Sequence, residues 1–109
     1  KFDVIILGFF LYLAPKSDWI SILKNVDDHI GENGYIIIKD FFSDTFSEKV
    51  YSHDSDMHLS KFNFSNMFLW HPDYIEIYKS ITSSDGTNFQ RHDSYIQTIV
   101  LKTTRRFDL

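Results

Sequence analysis

The chain opens on an unbroken apolar run, Val4-Ile5-Ile6-Leu7, and a second run, Ile36-Ile37-Ile38, follows after a helical stretch. Apolar runs without alternation suit strands covered on both faces. Between them Trp19, Ile22, Leu23, Val26 and Ile30 recur at helical spacing, behind Ser17 or Asp18, either of which can cap a helix. Gly31 is expected to close that helix, and Gly34 to turn the chain into the strand Tyr35–Lys39. Strand, helix and strand over Phe2–Phe42 predict a right-handed β-α-β unit with parallel strands.

Beyond Phe42 the pattern weakens. Thr45-Phe46-Ser47-Glu48 fits a capping box and predicts a short helix. Tyr51–Leu59 is polar and reads as a solvated loop or a lid. Phe62, Phe64, Met67, Phe68, Leu69 and Trp70 form an apolar stripe, expected on a helix that starts at Asn63 or Ser65 and ends before Pro72. Ile75, Ile77 and Ile81 alternate with polar residues, and Tyr95–Lys102 is β-branched and largely apolar. Together they predict an antiparallel hairpin whose long turn centres on Asp85-Gly86. Arg105-Arg106-Phe107 reads as a frayed end.

Composition narrows the classes. At 109 residues the chain is one domain at most. A net charge of −4, with no basic cluster longer than Arg105-Arg106, argues against non-specific nucleic-acid binding. With 0 cysteines there are no disulfides or thiolate metal sites, which suits a reducing cytoplasm. The apolar stretch Val4–Ala14 is interrupted by Gly8 and is far short of the ~20 residues a bilayer span requires. No membrane segment or signal peptide is therefore expected. The 17% aromatic content suggests an aromatic-lined pocket or a large interface. The chain begins at Lys1 without methionine and enters a core strand by Val4, so it reads as a piece of a longer protein.

In open α/β sheets ligands sit outside the carboxyl ends of strands. The loop Gly8–Leu13 follows the first strand, and Gly8 allows close backbone approach to a ligand. Phe9, Phe10 and Tyr12 serve equally well as core cover. After the second strand come Lys39, Asp40, Phe41 and Phe42. Asp40 can orient a ligand amine or hydroxyl, cap a following helix or pair with Lys39. His53, Asp54, Asp56 and His58 cluster in sequence, but their irregular spacing in a polar stretch is a weak metal signal, and no metal is expected. His71 beside the apolar stripe reads as structural rather than catalytic.

These motifs carry a resemblance. A strand starting Phe2-Asp3-Val4, a helix, the turn Gly31-Glu32-Asn33-Gly34 and the strand Tyr35-Ile36-Ile37-Ile38-Lys39-Asp40 resemble the C-terminal half of a Rossmann-like (class I) S-adenosylmethionine-dependent methyltransferase. The resemblance implies an α/β fold: a partial Rossmann-like sheet, with a β-α-β unit followed by a helical segment and a C-terminal antiparallel β-hairpin. It implies S-adenosylmethionine as cofactor, beside Gly8, Phe9, Phe10 and Leu11. It places the substrate, a small molecule or peptide methyl acceptor, near Tyr12, Asp40, Phe41, Phe42, Trp70 and His71. Methyl transfer is an in-line displacement that needs positioning and sometimes a base. Asp40 and Tyr12 are the preferred candidates for that base, ahead of His53 and His71.

The chain also departs from the family. The glycine-rich loop and the ribose-binding acid belong to the family's first half, and no G-x-G pattern occurs among the 4 glycines here. The chain alone is therefore expected to be inactive. Without that half, Val4–Leu7 becomes a flat apolar edge, which predicts a homodimer along it. Two alternatives stay open: a noncatalytic methyltransferase-like interaction or dimerisation module, and a different Rossmann-like enzyme that binds a nucleotide.

Overall fold

The computed structural model describes residues 1–51, 54–83 and 95–104, with 49–51 and 54–58 as backbone only. The strands are β1 (Phe2–Gly8), β2 (Ile30–Phe41), β3 (Ser47–Tyr51), β4 (Asp54–Lys61), β5 (Tyr74–Ser83) and β6 (Tyr95–Thr103). The helices are α1 (Trp19–His29) and the single turn α2 (Asn66–Leu69), with a 3-10 turn at Lys16–Asp18 leading into α1.

β1, β2, β6 and β5 form one four-stranded sheet in that order, and β3 and β4 form a separate two-stranded ribbon. β1 lies parallel to β2, whereas β6 runs antiparallel to both of its neighbours, β2 and β5. This corrects the expected α/β, partial Rossmann-like class. Among the described residues the fold is mostly β, built on one mixed sheet with a single helix of more than one turn. The reason lies in the middle of the chain, where extended ribbon stands in place of predicted helix.

Cross-strand partners share a face of the sheet. Ile5, Ile36 and Leu101 form one row, and Leu7, Ile38 and Ile99 the next. These rows meet Leu23 and Val26 of α1 and Met67 and Phe68 of α2 in the main core, together with Leu11, Ile30, Phe64 and Tyr74. The opposite face carries the row Val4, Tyr35, Lys102 and Ile75 and the row Ile6, Ile37, Val100 and Tyr78. Among the described residues nothing covers it: Val4 is 46% exposed, Ile6 66% and Tyr78 53%. β1 is thus covered on one face, not two.

Four local expectations are also corrected. α1 ends at His29, because Ile30 turns extended while its N–H still bonds the Val26 carbonyl; Gly31 belongs to β2. Asp18 is the cap residue but makes no side-chain cap bond. The capping-box sequence at Thr45–Glu48 starts no helix, because Ser47 and Glu48 pair with Lys61 and Ser60 in the β3–β4 ribbon. Tyr51–Leu59 was expected to be a loop, yet its described part runs mostly in that ribbon. Pairing across the ribbon offers the backbone more partners than an isolated turn of helix, which is marginal at this length. The Asp85-Gly86 turn and Arg105–Phe107 lie outside the described residues.

Gly34 has a packing reason. A Cβ there would stand 2.7 Å from the Ile30 side chain. Asn33, with φ 56, takes the left-handed position of the same bend, which its short polar side chain tolerates.

Candidate functional site

Asp40 sits where β2 runs out, and it is completely buried at 0% exposure. Its Oδ2 accepts hydrogen bonds from the backbone N–H groups of Leu11 at 2.9 Å and Tyr12 at 3.3 Å. Its Oδ1 accepts from the Phe41 N–H at 2.7 Å. The carboxylate therefore ties the loop after β1 to the end of β2. Burial pushes the Asp40 pKa up to about 6, against the pull of the amides of Phe41, Tyr12 and Leu11, which favour the charged form.

The loop itself is shaped by the same contacts. The Phe9 N–H bonds the Lys39 carbonyl at 2.8 Å. Phe9 has φ 48, a left-handed conformation that a bulky side chain adopts only when its surroundings impose it. The clamp by Lys39 and Asp40 on either side supplies that constraint. A Cβ built on Gly8 would meet no atom within 4 Å, so packing among the described residues does not require glycine there. The Tyr12 carbonyl accepts from the Ser60 N–H at 2.8 Å, which attaches the β3–β4 ribbon to the loop.

Aromatic rings close over this end. Phe41 makes edge-to-face contacts with Phe9 at 5.5 Å and Tyr12 at 4.9 Å between centroids, with the Lys61 ammonium over its ring at 5.9 Å. Phe42 turns inward and is buried, while Phe10 is 46% exposed. Phe10 also lines a groove of about 340 Å³ between β1 and α1, with Phe2, Ile5, Leu7, Ile22 and Val26.

The structure thus brings together Gly8, Phe9, Phe10, Leu11, Tyr12, Asp40, Phe41 and Phe42. It sets Trp70 and His71 apart. His71 contacts the Tyr74 ring at 5.1 Å, and its Nε2 lies 4.0 Å from Asp27, which accepts the Tyr74 hydroxyl at 2.5 Å. In the ladder Tyr74 pairs with Thr103, whereas Asp40 shares a row with Gln97 and Ile81. Counted from Thr103 to Gln97 on β6, that is about 20 Å along the strand at ~3.3 Å per residue. Trp70, whose Nε1 donates to the Met67 carbonyl at 2.6 Å, lines a second groove of about 340 Å³ with Lys16, Trp19, Ile20 and Phe62. His53 lies outside the described residues, as do the side chains of Asp54, Asp56 and His58. Among the described residues no group of three or more His, Asp or Glu side chains converges on a metal position.

One residue of this end escaped the sequence reading. Gln97, at 0% exposure, is the cross-strand neighbour of Asp40. Its Nε2 donates to the carbonyls of Phe41 at 2.8 Å and Phe62 at 2.7 Å, and its Oε1 accepts from the Phe64 N–H at 3.3 Å. Asp40 fixes the loop after β1, and Gln97 fixes the segment before α2. The signal was a lone amide between Ile96 and Ile99 in a strand rich in β-branched residues.

Chemically, Asp40 is a positioning group. Its carboxylate is enclosed and occupied by three backbone donors, so what it presents to solvent is the loop rather than its own oxygens. The exposed parts of the loop are Gly8, Phe9, Phe10 and Leu13. No family model matches the chain, and no curated protein is significantly similar to it. Among the described residues no helix is long and apolar enough to cross a membrane.

Proposed function

We propose that these residues form the C-terminal part of an S-adenosylmethionine-dependent methyltransferase, transferring a methyl group to a small-molecule or peptide acceptor, in the cytoplasm. The observation that carries this reading is the loop Gly8–Tyr12. It is strained at Phe9 and held by Asp40 at the carboxyl ends of two parallel strands, where ligands of such strand pairs bind. The motifs Phe2-Asp3-Val4 and Gly31–Asp40 support it by resemblance.

In this reading S-adenosylmethionine would lie against Gly8, Phe9 and Phe10 and supply the electrophilic methyl group; Leu11, expected beside it, is buried at 0% exposure and instead anchors the loop. The chain's own residues would orient the reactants and exclude water: Phe9, Tyr12 and Phe41 as an aromatic wall, and Asp40 through the loop it holds. Tyr12 remains the candidate for handling the acceptor's proton, because Asp40 is enclosed. Calorimetric titration with S-adenosylmethionine, of the 109 residues and of the natural polypeptide that contains them, tests the proposal. Binding by the natural polypeptide, weakened at least tenfold by Phe10→Ala, is expected; absence of binding in both would overturn it.

A second reading, a noncatalytic interaction or dimerisation module, is favoured by one observation. β1 is an edge strand whose outer side has no partner among the described residues. Edges of this kind recruit strands, including a second copy of the same chain along Val4–Leu7.

A further inference from the structure

Four segments that are distant in the chain meet at the Asp40 end of the sheet, and the polar contacts among them close into a ring. Tyr12 donates its N–H to Asp40 Oδ2 at 3.3 Å, and Asp40 Oδ1 accepts from the Phe41 N–H at 2.7 Å. The Phe41 carbonyl accepts from Gln97 Nε2 at 2.8 Å, and the same nitrogen donates to the Phe62 carbonyl at 2.7 Å. Two residues back along the chain, the Ser60 N–H donates to the Tyr12 carbonyl at 2.8 Å. The circuit runs from the loop after β1 through β2 and β6 to the base of the β3–β4 ribbon, and returns to the residue at which it began.

Gln97 is the member that packing alone does not explain. It shares the covered face with Ile99 and Leu101, where an apolar residue would serve the core. A buried amide is costly unless its polar atoms are paired. Here both Nε2 hydrogens are used by the two carbonyls, and Oε1 accepts from the Phe64 N–H at 3.3 Å. Asp40 and Gln97 are fully buried and Ser60 nearly so. In such a shielded network the bonds polarise one another, so removing one weakens the rest.

We infer that Gln97 is a positioning residue of this site: through the ring it makes the loop Gly8–Tyr12 and the base of the β3–β4 ribbon order as one unit. The bonds of Gln97 all go to residues outside the loop. Its influence reaches Tyr12 through Phe41 and Asp40 on one side, and through Phe62 and Ser60 on the other. A ligand that fixes the exposed loop therefore also fixes the ribbon base. In methyl transfer the ribbon would be the element that orders with the reactants, a use that rests on the reading proposed above.

The test is amide hydrogen exchange of the natural polypeptide carrying Gln97→Met, which nearly keeps the side-chain volume and removes all three bonds. Ile99→Ala, on the same strand and face but outside the ring, is the reference for a general loss of stability. Gln97→Met should speed exchange at the Tyr12 and Ser60 amides about tenfold beyond that reference. Acceleration confined to Phe64, whose amide bonds Gln97 directly, or spread as in Ile99→Ala, would overturn the inference. Ser60→Pro opens the ring at its far side and keeps the test decisive if Gln97→Met does not fold. It should speed the Tyr12 and Phe64 amides, and unchanged exchange at both would overturn the inference. A second arm adds S-adenosylmethionine. On binding, the Ser60 amide should gain protection in the wild type but not in Gln97→Met, whose affinity should be about three- to tenfold weaker. Equal affinity and equal protection in the two would overturn the positioning role. Absence of binding would sink the methyltransferase reading and leave the exchange result to decide the ring.

Discussion

The two faces of the four-stranded sheet are built by the same strands from nearly the same residue types, yet they meet different fates. One carries Ile36, Ile38, Ile99 and Leu101 at 0% exposure beneath α1 and α2. The other carries Val4, Ile6 and Tyr78 roughly half exposed. The difference shows what an apolar run encodes: a demand for cover on both sides, with no statement of what supplies it. α1 and α2 answer that demand on one face. On the other, nothing among the described residues supplies it.

The sharpest way to break the comparison is a pair of adjacent truncations. Ile99→Ala should cost about 2–4 kcal/mol, through lost transfer energy and a cavity beneath the helices. Its neighbour Val100→Ala, on the open face, should cost under ~1 kcal/mol in the same urea melts. Equal costs would mean that the open face is covered in solution.

A somewhat smaller effect follows from the buried acid on the covered face. Asp40 titrates at about 6 in the fold against an ordinary 3.8. The folded state holds this proton more tightly than the unfolded chain does. Asp40's contribution is therefore most favourable below about pH 4, declines as pH rises through 4–6 and levels off above 6, by up to about 3 kcal/mol at ~1.4 kcal/mol per unit. The difference between wild type and Asp40→Asn, followed across that range by chemical denaturation, isolates the group. A wild-type advantage that grows from pH 4 to 6 would contradict the assignment.

Most of the elements were legible in the sequence, but the contrast between the faces was not, since Val4–Leu7 and Ile36–Ile38 both read as covered on two sides; the failures have physical causes. The strand at Val4–Leu7, the helix from Trp19 and the strand at Tyr35–Lys39 were readable because each is set by local periodicity, although the helix was expected to run on through Ile30. Also readable was the antiparallel pairing of the segment Ile75–Thr82 with Tyr95–Lys102, which the structure extends to Tyr74–Ser83 and Tyr95–Thr103. Asp40 was singled out by its position at a strand end. What it binds was not readable, since Leu11 and Tyr12 are brought to it by strand register. Gln97 was missed for the same reason. At Thr45–Glu48 a local capping signal was outweighed by pairing with Ser60 and Lys61, a contact no short window contains. Trp70 and His71 looked like part of the site because they follow it in the chain; the return of β5 carries His71 to the other end of the sheet and leaves Trp70 on a separate groove.

The central claim is that Asp40, from the covered face, holds the loop after β1 in place as a ligand-ready surface. Amide hydrogen exchange of the Asp40→Ala variant tests it most directly. The account predicts that the Leu11 and Tyr12 amides lose about 10- to 100-fold of their protection, the loss of one to two charge-assisted hydrogen bonds. Ile38 and Ile99 should change only with global stability. Unchanged protection at Leu11 and Tyr12, or a loss spread evenly over the sheet, would contradict it.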